Sequence, residues 1–401
     1  MRISTAQSYD TTIERLSQRQ CELSDAQLRL SAGKRVMRAS DDPVNAARAE
    51  RALADVSRAT ASQRSVDASR SAMTQLEGAL GDAGDLLQTA REAVVQGGNA
   101  SYDDSQRQVL AGQLRDLRAQ LLAVANRGDG AGGFLFSGQG SGGAPFLDAP
   151  GGVQYVGTRG DSSANRAEGL PMSMDGAAAW MTAPTGNGVF VTRSVTSNGT
   201  GWIDAGSVID PSAATASPHA VYSLQFSIAG GATTYSVLKD GTPTALTNAA
   251  FVSGQTIVFD GMAVKVTGAP ANGDAFEIAP SGPTLSVFDA LDNAVSDLAT
   301  PLLGSTARTQ ATTENLRNLD SVLARMSSSR AQAGEALNRI DNVGTRLETA
   351  SLNGKADRSA AEDLDMPAAI SDFQNRQTGY EVALKTYASV QRLSLFDYIK
   401  T

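Results

Sequence analysis

One cysteine and one histidine in 401 residues remove most chemistry before any pattern is read. Cys21 has no second thiol to pair with, so no internal disulfide forms and no thiolate metal cluster is available. His219 stands in the loop-like run Ala216-Ser217-Pro218-His219, with no second histidine from which a Ser–His–Asp or Cys–His relay could be built elsewhere. Aromatic residues are only 5% of the chain, although 41% hydrophobic residues suffice for real cores. No stretch reaches the roughly 18 consecutive apolar residues of a membrane span. The opening Met1-Arg2-Ile3-Ser4-Thr5-Ala6-Gln7 lacks the apolar region of a secretory signal. Taken alone, this points to the cytoplasm, or to export by a route that reads no such signal. Positive charge is also short: 34 basic against 42 acidic residues give a net charge of -8. Between Asp161 and Pro283, nine acidic residues face only four basic ones. Nucleic acid is a poor partner for such a surface.

What the chain does have is helical spacing at both ends. Ala6, Tyr9, Ile13, Leu16, Gln20, Leu23, Gln27 and Leu30 step by three and four throughout. Ile370, Phe373, Gln377, Tyr380, Leu384, Tyr387, Gln391 and Ser394 do the same. Each set is one seam of a helix that packs lengthwise on another. Two terminal seams of equal length read most simply as partners, so the chain leaves as one helix and returns antiparallel beside its own start. Both seams are wet, because Gln20, Gln27, Gln377, Gln391 and Ser394 occupy positions where an apolar residue belongs. A buried amide without partners costs roughly 1–3 kcal/mol. Such a pair is expected to be marginal alone and to need further subunits; an ordinary amphipathic pair in a monomer explains the same spacing. The assembly reading places the interface at Ile13, Leu16, Gln20, Leu23, Gln27, Leu30, Ile370, Phe373, Gln377, Tyr380, Leu384, Tyr387, Gln391 and Leu395.

Inward from the ends, the first helix should break at Ala32-Gly33-Lys34, and a second should begin after Ser40-Asp41-Asp42-Pro43. Two acids at a helix start complement its dipole, which is a commoner reason for them than metal or acid–base work. Met73, Leu76, Leu80, Ala83, Leu87, Ala90 and Val94 form one helical face, which Gly97-Gly98-Asn99 ends. Leu110, Leu114, Leu117, Leu121 and Val124 mark the next helix, from about 104 to 126. Residues 128–283 then read as strand and turn. Phe134-Leu135-Phe136 and Val153-Gln154-Tyr155-Val156 are short strands by composition, and Tyr222, Leu224, Phe226 and Ile228 alternate with polar residues. Gly230-Gly231 turns into Tyr235-Ser236-Val237, and Asp260-Gly261 between Ile257-Val258-Phe259 and Val264-Lys265-Val266 is a hairpin signal. Helix resumes after Pro283. Spacing predicts one long helix from Ser305 to Leu352, closed by Asn353-Gly354, with Ser359-Ala360-Ala361-Glu362 as a capping box for the last helix.

The expected fold is mainly α with a β-rich insertion: a nested antiparallel long-helix bundle plus an outer β domain. Residues 1–40 with 363–401 form a terminal coiled-coil core domain. Residues 41–160 with 284–362 form a long-helix bundle with a β-hairpin, and 161–283 form the insertion.

Motifs that suggest chemistry dissolve in context. Gly138-Gln139-Gly140-Ser141-Gly142-Gly143 satisfies GxGxxG, yet Ala144-Pro145-Phe146 follows where a dinucleotide site needs a helix. Arg127-Gly128-Asp129 and Arg159-Gly160-Asp161 are adhesion-type tripeptides that lie where turns are expected anyway, and Asn198-Gly199-Thr200 is a sequon in a turn. No carboxylate cluster stands out. The sequence offers no catalytic, cofactor or metal site, and the expectation is a protein that is not an enzyme.

The two ends resemble the flagellin superfamily of bacterial axial proteins, and within it the members that stand between hook and filament. The resemblance is carried by Met1-Arg2-Ile3-Ser4-Thr5, by Gly33-Lys34-Arg35-Val36 followed by Ser40-Asp41-Asp42-Pro43, and by Leu114-Arg115-Asp116-Leu117-Arg118-Ala119-Gln120-Leu121-Leu122. Gly133-Phe134-Leu135-Phe136-Ser137-Gly138, Ala144-Pro145-Phe146, Tyr155-Val156-Gly157 and the ending Leu393-Ser394-Leu395-Phe396 extend it. It covers roughly 1–160 and 284–401. It implies a coaxial helical core with the termini innermost, a second helical layer with a β-hairpin, and an outward β domain. It further implies export, unfolded, through the flagellar type III apparatus to an extracellular position, which resolves the missing signal. A small helical export chaperone would bind the C-terminal region from Ile370 to Phe396. Copies of the chain would form a ring between the first hook-associated protein and flagellin, with no membrane insertion. The other readings are a flagellin-type filament subunit and a surface adhesin that displays the β module through its Arg-Gly-Asp turns.

Overall fold

The computed structural model describes residues 5–165, 168–301 and 304–399, with side chains from 10 to 389. The chain divides into two units, Met1–Arg64 with Gly344–Thr401 and Ser65–Val343. In order, α1 (Thr5–Ala32), α2 (Pro43–Gly97) and α3 (Asp104–Ala125) lead to the hairpin β1 (Phe146–Ala149) and β2 (Gly152–Tyr155). The short pair β3 (Ser163–Asn165) and β4 (Leu170–Pro171) and helix α4 (Gly176–Trp180) follow. A β module then holds β5 (Phe190–Thr196), β6 (Trp202–Ile203), β7 (Ser207–Val208), helix α5 (Pro211–Thr215), β8 (Tyr222–Ala229) and β9 (Ala232–Lys239). It continues with β10 (Thr242–Pro243), β11 (Ala249–Ala250), β12 (Thr256–Phe259), β13 (Met262–Thr267) and β14 (Ala275–Pro280). Helices α6 (Val287–Ala299), α7 (Ser305–Glu362) and α8 (Met366–Ile399) close the chain. The fold is a long-helix bundle with a β-rich insertion, as the spacing indicated.

In the first unit, the break between α1 and α2 falls where glycine permits it. Gly33 has φ +68°, a left-handed conformation that side chains resist. The Asp41 carboxylate accepts from the Met37 and Arg38 amides at 3.1 and 3.0 Å, and Asp42 accepts from the Asn45 amide at 3.0 Å just ahead of Pro43. Those backbone hydrogen bonds hold both carboxyls below their ordinary range. The two acids are turn and helix caps. The same turn is tied to the connection between α7 and α8. The Arg35 amide donates to Glu362 O at 2.7 Å, the Leu364 amide donates to Gly33 O at 3.0 Å, and Lys34 Nζ lies 3.1 Å from the Glu362 carboxylate.

Two expectations fail at this point. Helix α7 does not end at Asn353-Gly354 but runs on to Glu362. Gly354 is a place of close approach rather than a stop: a β-carbon there would lie 2.7 Å from Val56 Cγ2 of α2. Ser359-Ala360-Ala361-Glu362 therefore opens nothing. Ser359 Oγ bonds the Asp363 carboxylate within the last turn of α7, and α8 is capped by Asp365, which accepts from the Ala368 amide at 3.2 Å.

In the second unit, Met73, Leu76, Leu80, Ala83, Leu87, Ala90 and Val94 of α2 are all buried, as are Leu110, Leu114, Leu117, Leu121 and Val124 of α3. Helices α2 and α7 run antiparallel, marked by Arg70–Asp341 at 2.8 Å, Glu77–Arg330 at 2.6 Å and Arg91–Asp320 at 2.6 Å. A capping box starts α3: Asp103 Oδ1 accepts from the Gln106 amide, and Gln106 Oε1 accepts from the Asp103 amide. Arg118 of α3 forks onto Asp148 of β1 at 2.7 and 2.9 Å and reaches Asp292 of α6 at 2.6 Å. The Asn126 side chain clamps the backbone of Phe146 from both sides. The hairpin is thereby fixed to two helices. Trp180 of α4 stacks on Phe288 of α6 and meets Phe136 and Phe146 edge-on, all four fully buried.

Phe134-Leu135-Phe136 is a turn rather than a strand, although Leu135 and Phe136 are buried as a strand would bury them. Asp129 captures the Ala131 and Gly133 amides at 2.8 Å each, and Gly130 and Gly132 adopt positive φ. The chain curls before a ladder can form.

The β module is two antiparallel sheets on one core. The first orders β10-β9-β8-β14-β5 with β11 also on β9, and the second orders β12-β13-β6 with β7 also on β13. Tyr222, Leu224 and Phe226 point inward on alternate residues and meet Ile257, Phe259, Val264 and Val266 from the other sheet. At the β12–β13 turn, Asp260 and Gly261 both have positive φ, +41° and +75°, the conformation this two-residue hairpin demands. Asp260 also accepts from Tyr222 Oη at 2.6 Å and Lys239 Nζ at 2.8 Å, and that lysine above all holds its carboxyl below the ordinary range. The module joins the helices at a narrow neck. Ala183 and Leu285 exchange backbone hydrogen bonds at 2.9 and 3.0 Å, and the Thr185 amide donates to Gly282 O at 3.0 Å.

Candidate assembly interface

Helices α1 and α8 lie antiparallel in the first unit. Arg19 Nη1 donates to Gly379 O at 3.0 Å, while Arg376 lies 3.7 Å from Glu22 and the Lys34–Asp363 bridge continues the same direction. Gly379 admits the guanidinium, since a β-carbon there would stand 2.9 Å from Arg19 Nη1.

The terminal seams divide into two sets. Leu16, Leu23, Leu30, Phe373, Tyr380 and Tyr387 are half-buried. Ile13, Gln20, Gln27, Ile370, Gln377 and Leu384 are exposed, and the residues turned inward one position earlier are Thr12, Ala26, Ala369 and Ala383. The seam therefore steps by four and three where the sequence suggested three and four. Small residues at alternate inward positions, with Gly379 among them, let the helices approach while Leu, Phe and Tyr fill the gaps between. The glutamines Gln20, Gln27 and Gln377 are not buried against the partner helix, so their desolvation cost does not arise within one chain. Gln391 and Leu395 lie outside the described side chains.

Each helix consequently carries, beside its seam, apolar residues that its own chain leaves uncovered: Ile13 is 49% exposed, Ile370 43% and Leu384 39%. Among the described residues of α1 and α8, no side chain is fully buried. An antiparallel pair held by half-buried contacts is poorly protected alone. In the isolated subunit, amides of 13–30 and 370–389 are expected to exchange quickly while those of 114–124 in α3 exchange slowly, as read by hydrogen–deuterium exchange. Equal protection in the two regions would contradict this.

The other sequence motifs are structural here. Gly138 (φ +65°) sits against the backbone of Thr158, where a β-carbon would lie 1.9 Å from its carbonyl oxygen, and no helix starts after Gly143. The glycine-rich run is a strap, not a phosphate cradle. In the first Arg-Gly-Asp turn, Arg127 pairs with Asp82 at 2.7 Å and Asp129 holds its own loop; in the second, Asp161 accepts from the Asp175 amide at 2.8 Å. Among the described residues, no group of three His, Cys, Asp or Glu side chains is placed to hold a metal, and no helix is long and apolar enough to cross a membrane.

Residues 3–141 match the bacterial flagellin N-terminal helical region, and residues 316–399 match the bacterial flagellin C-terminal helical region. Flagellar hook-associated protein 3 of Escherichia coli (strain K12) is 26% identical over 408 residues, covering 100% of both chains. A crystal structure of Xanthomonas campestris FlgL shares 28% identity and covers 78% of this chain and 99% of its own, with a TM-score of 0.68. That of the flagellar junction protein FlgL from Legionella pneumophila shares 28% identity and covers 70% and 94%, with a TM-score of 0.63.

Proposed function

This chain belongs to the flagellin superfamily, and from that premise we propose that it is a structural adaptor of the bacterial flagellum, joining the hook to the flagellin filament. The observation that carries the reading is the end-to-end match to a hook-associated protein 3, which takes in the β module as well as both helical ends. The uncovered residues Ile13, Ile370 and Leu384, alternating with Gln20, Gln27 and Gln377, supply the kind of surface that further subunits would complete. On this reading copies of the chain form a ring, with the first hook-associated protein on one side and flagellin on the other. The chain reaches its extracellular position through the flagellar type III apparatus, and a small helical chaperone holds the C-terminal helix until then. The superfamily's members are structural proteins, and no reaction is assigned.

The test separates an adaptor from a filament subunit. A heterologous interface that does not close grows without limit, so a filament protein must present two surfaces that fit each other. An adaptor has no such need. Purified subunit is seeded on hook fragments with and without the first hook-associated protein and imaged by electron microscopy. A short cap that forms only with that protein and then accepts flagellin is expected. Long homopolymeric filaments would reassign the chain to the flagellin-type subunit.

A further inference from the structure

Where the β module rests on α7, the helix presents a stripe of polar side chains. Gln310 Oε1 accepts from the Ile203 amide of β6 at 2.9 Å, and Arg317 Nη1 donates to Thr192 Oγ1 of β5 at 3.2 Å. Farther along, Ser321 Oγ donates to Pro184 O at 2.5 Å and Arg325 Nε to Ala178 O at 2.7 Å. Spacings of seven, four and four put all four on one helix face. Thr192 is fully buried, and its own hydroxyl donates a hydrogen bond to Asp204 O at 2.7 Å.

Arg317 is only partly satisfied in this seat. Its Nε and Nη2 are buried with no hydrogen-bond partner. One turn back on the same helix, Glu314 accepts no hydrogen bond among the described residues, although the Arg317 charge faces it. Residues three apart on a helix are neighbours, so a rotation of the guanidinium along α7 would join the idle donors to the idle acceptor. That rotation would also surrender Thr192. In the seated arrangement Nε and Nη2 lack partners, while in the other the Arg317–Thr192 contact is given up and Thr192 keeps its bond to Asp204 O, so the charge on Glu314 can tip the balance.

We propose that Arg317 is a two-position latch: bonded to Thr192 it seats the β module on α7, and paired with Glu314 it frees strand β5. The charge on Glu314 selects the position. The groups that face it are Arg317 on its own helix, Asp297 on α6 and Arg193 on β5, and Arg317 faces Asp204 as well. Burial raises the Glu314 carboxyl above its ordinary value, opposed in part by Arg317, and burial raises Asp297 too, opposed by the Asn315 amide at 2.7 Å. A carboxyl raised in the folded state contributes stability below its unfolded value and loses it as pH rises through the raised one. The seated arrangement is thus favoured in acid, where neutral Glu314 no longer competes for the guanidinium.

Hydrogen exchange on the intact protein reads the latch at the Ile203 amide, which is held across the same seat. The Val237 amide, bonded to Leu246 O inside the module, serves as the internal reference. In the wild type, Ile203 protection, normalised to Val237, is expected to fall as pH rises from acid to neutral. In E314Q it should stay high, roughly two- to fivefold above wild type at neutral pH, the scale of one partly exposed ion pair. In T192V it should be low at both pH values. An identical pH slope in wild type and E314Q would overturn the proposal. So would a loss in T192V shared equally by Val237, because that is unfolding of the module rather than release of its seat.

Discussion

Leu384→Asp is expected to leave the isolated subunit folded and to abolish its incorporation at the tip of the hook. Leu384 is 39% exposed on α8, so a carboxylate there can reach water in the free chain. Exposed substitutions of this kind change stability by no more than about 0.5 kcal/mol. When a neighbouring subunit covers the position, the same charge is buried without a partner, which costs several kcal/mol even after relaxation. Tyr380→Asp is the informative contrast. Tyr380 is half-buried in the seam itself, so its replacement should loosen α8 from α1 before any assembly takes place. Motility and filament counts in strains carrying only each variant, together with circular dichroism of the purified subunits, distinguish the two. Normal motility with Leu384→Asp would remove Leu384 from the interface.

The distance of one residue between the expected and the observed seam shows what spacing alone can resolve. A seam that steps by three and four and one that steps by four and three share every second position. Leu16, Leu23, Leu30, Phe373, Tyr380 and Tyr387 were legible for that reason. Between them, Ile13, Ile370 and Leu384 look like seam residues because they are apolar, while the residues turned inward include Ala26, Ala369 and Ala383, small enough to read as neutral. Apolarity marks a surface to be covered but does not say by which chain. The inner face of α2 from Met73 to Val94 carries less ambiguity, since Met73, Leu76, Leu80, Leu87 and Val94 mark it on either side of Ala83 and Ala90, and all seven are buried. Glycine misled in the same way at Gly354, whose role is proximity to Val56 rather than termination. The Asp260-Gly261 turn was legible because its geometry is local. The Arg317 seat was not, because Thr192 and Arg317 lie 125 positions apart and neither belongs to a recognisable motif.

Excising residues 187–280 and joining Gly186 to Ser281 with a short glycine-rich linker is expected to leave export and helix packing intact. Removing all of 161–283, the span suggested by composition, should instead destabilise the helical layer. The difference lies in Trp180. It falls within the longer excision, yet it is fully buried between Phe136, Phe146 and Phe288, which belong to the hairpin region and α6. Deleting a large buried aromatic costs about 3–5 kcal/mol, and the longer excision also takes Asp175, whose carboxylate holds the Gly160 amide at 2.9 Å. The shorter cut passes through the neck, where the Thr185 amide already meets Gly282 O at 3.0 Å, so the new ends lie close and the linker closes little loop. The module keeps its own core, with Leu224, Phe276 and Val264 fully buried inside it, which is why we propose it as a separate domain bounded at the neck. Thermal unfolding of both truncated proteins, with secretion and motility assays in strains that carry them, gives the comparison. If the shorter excision unfolds the helices as readily as the longer one, the neck is not the boundary. If it is exported and stable but supports no filament, the β module takes part in the junction itself.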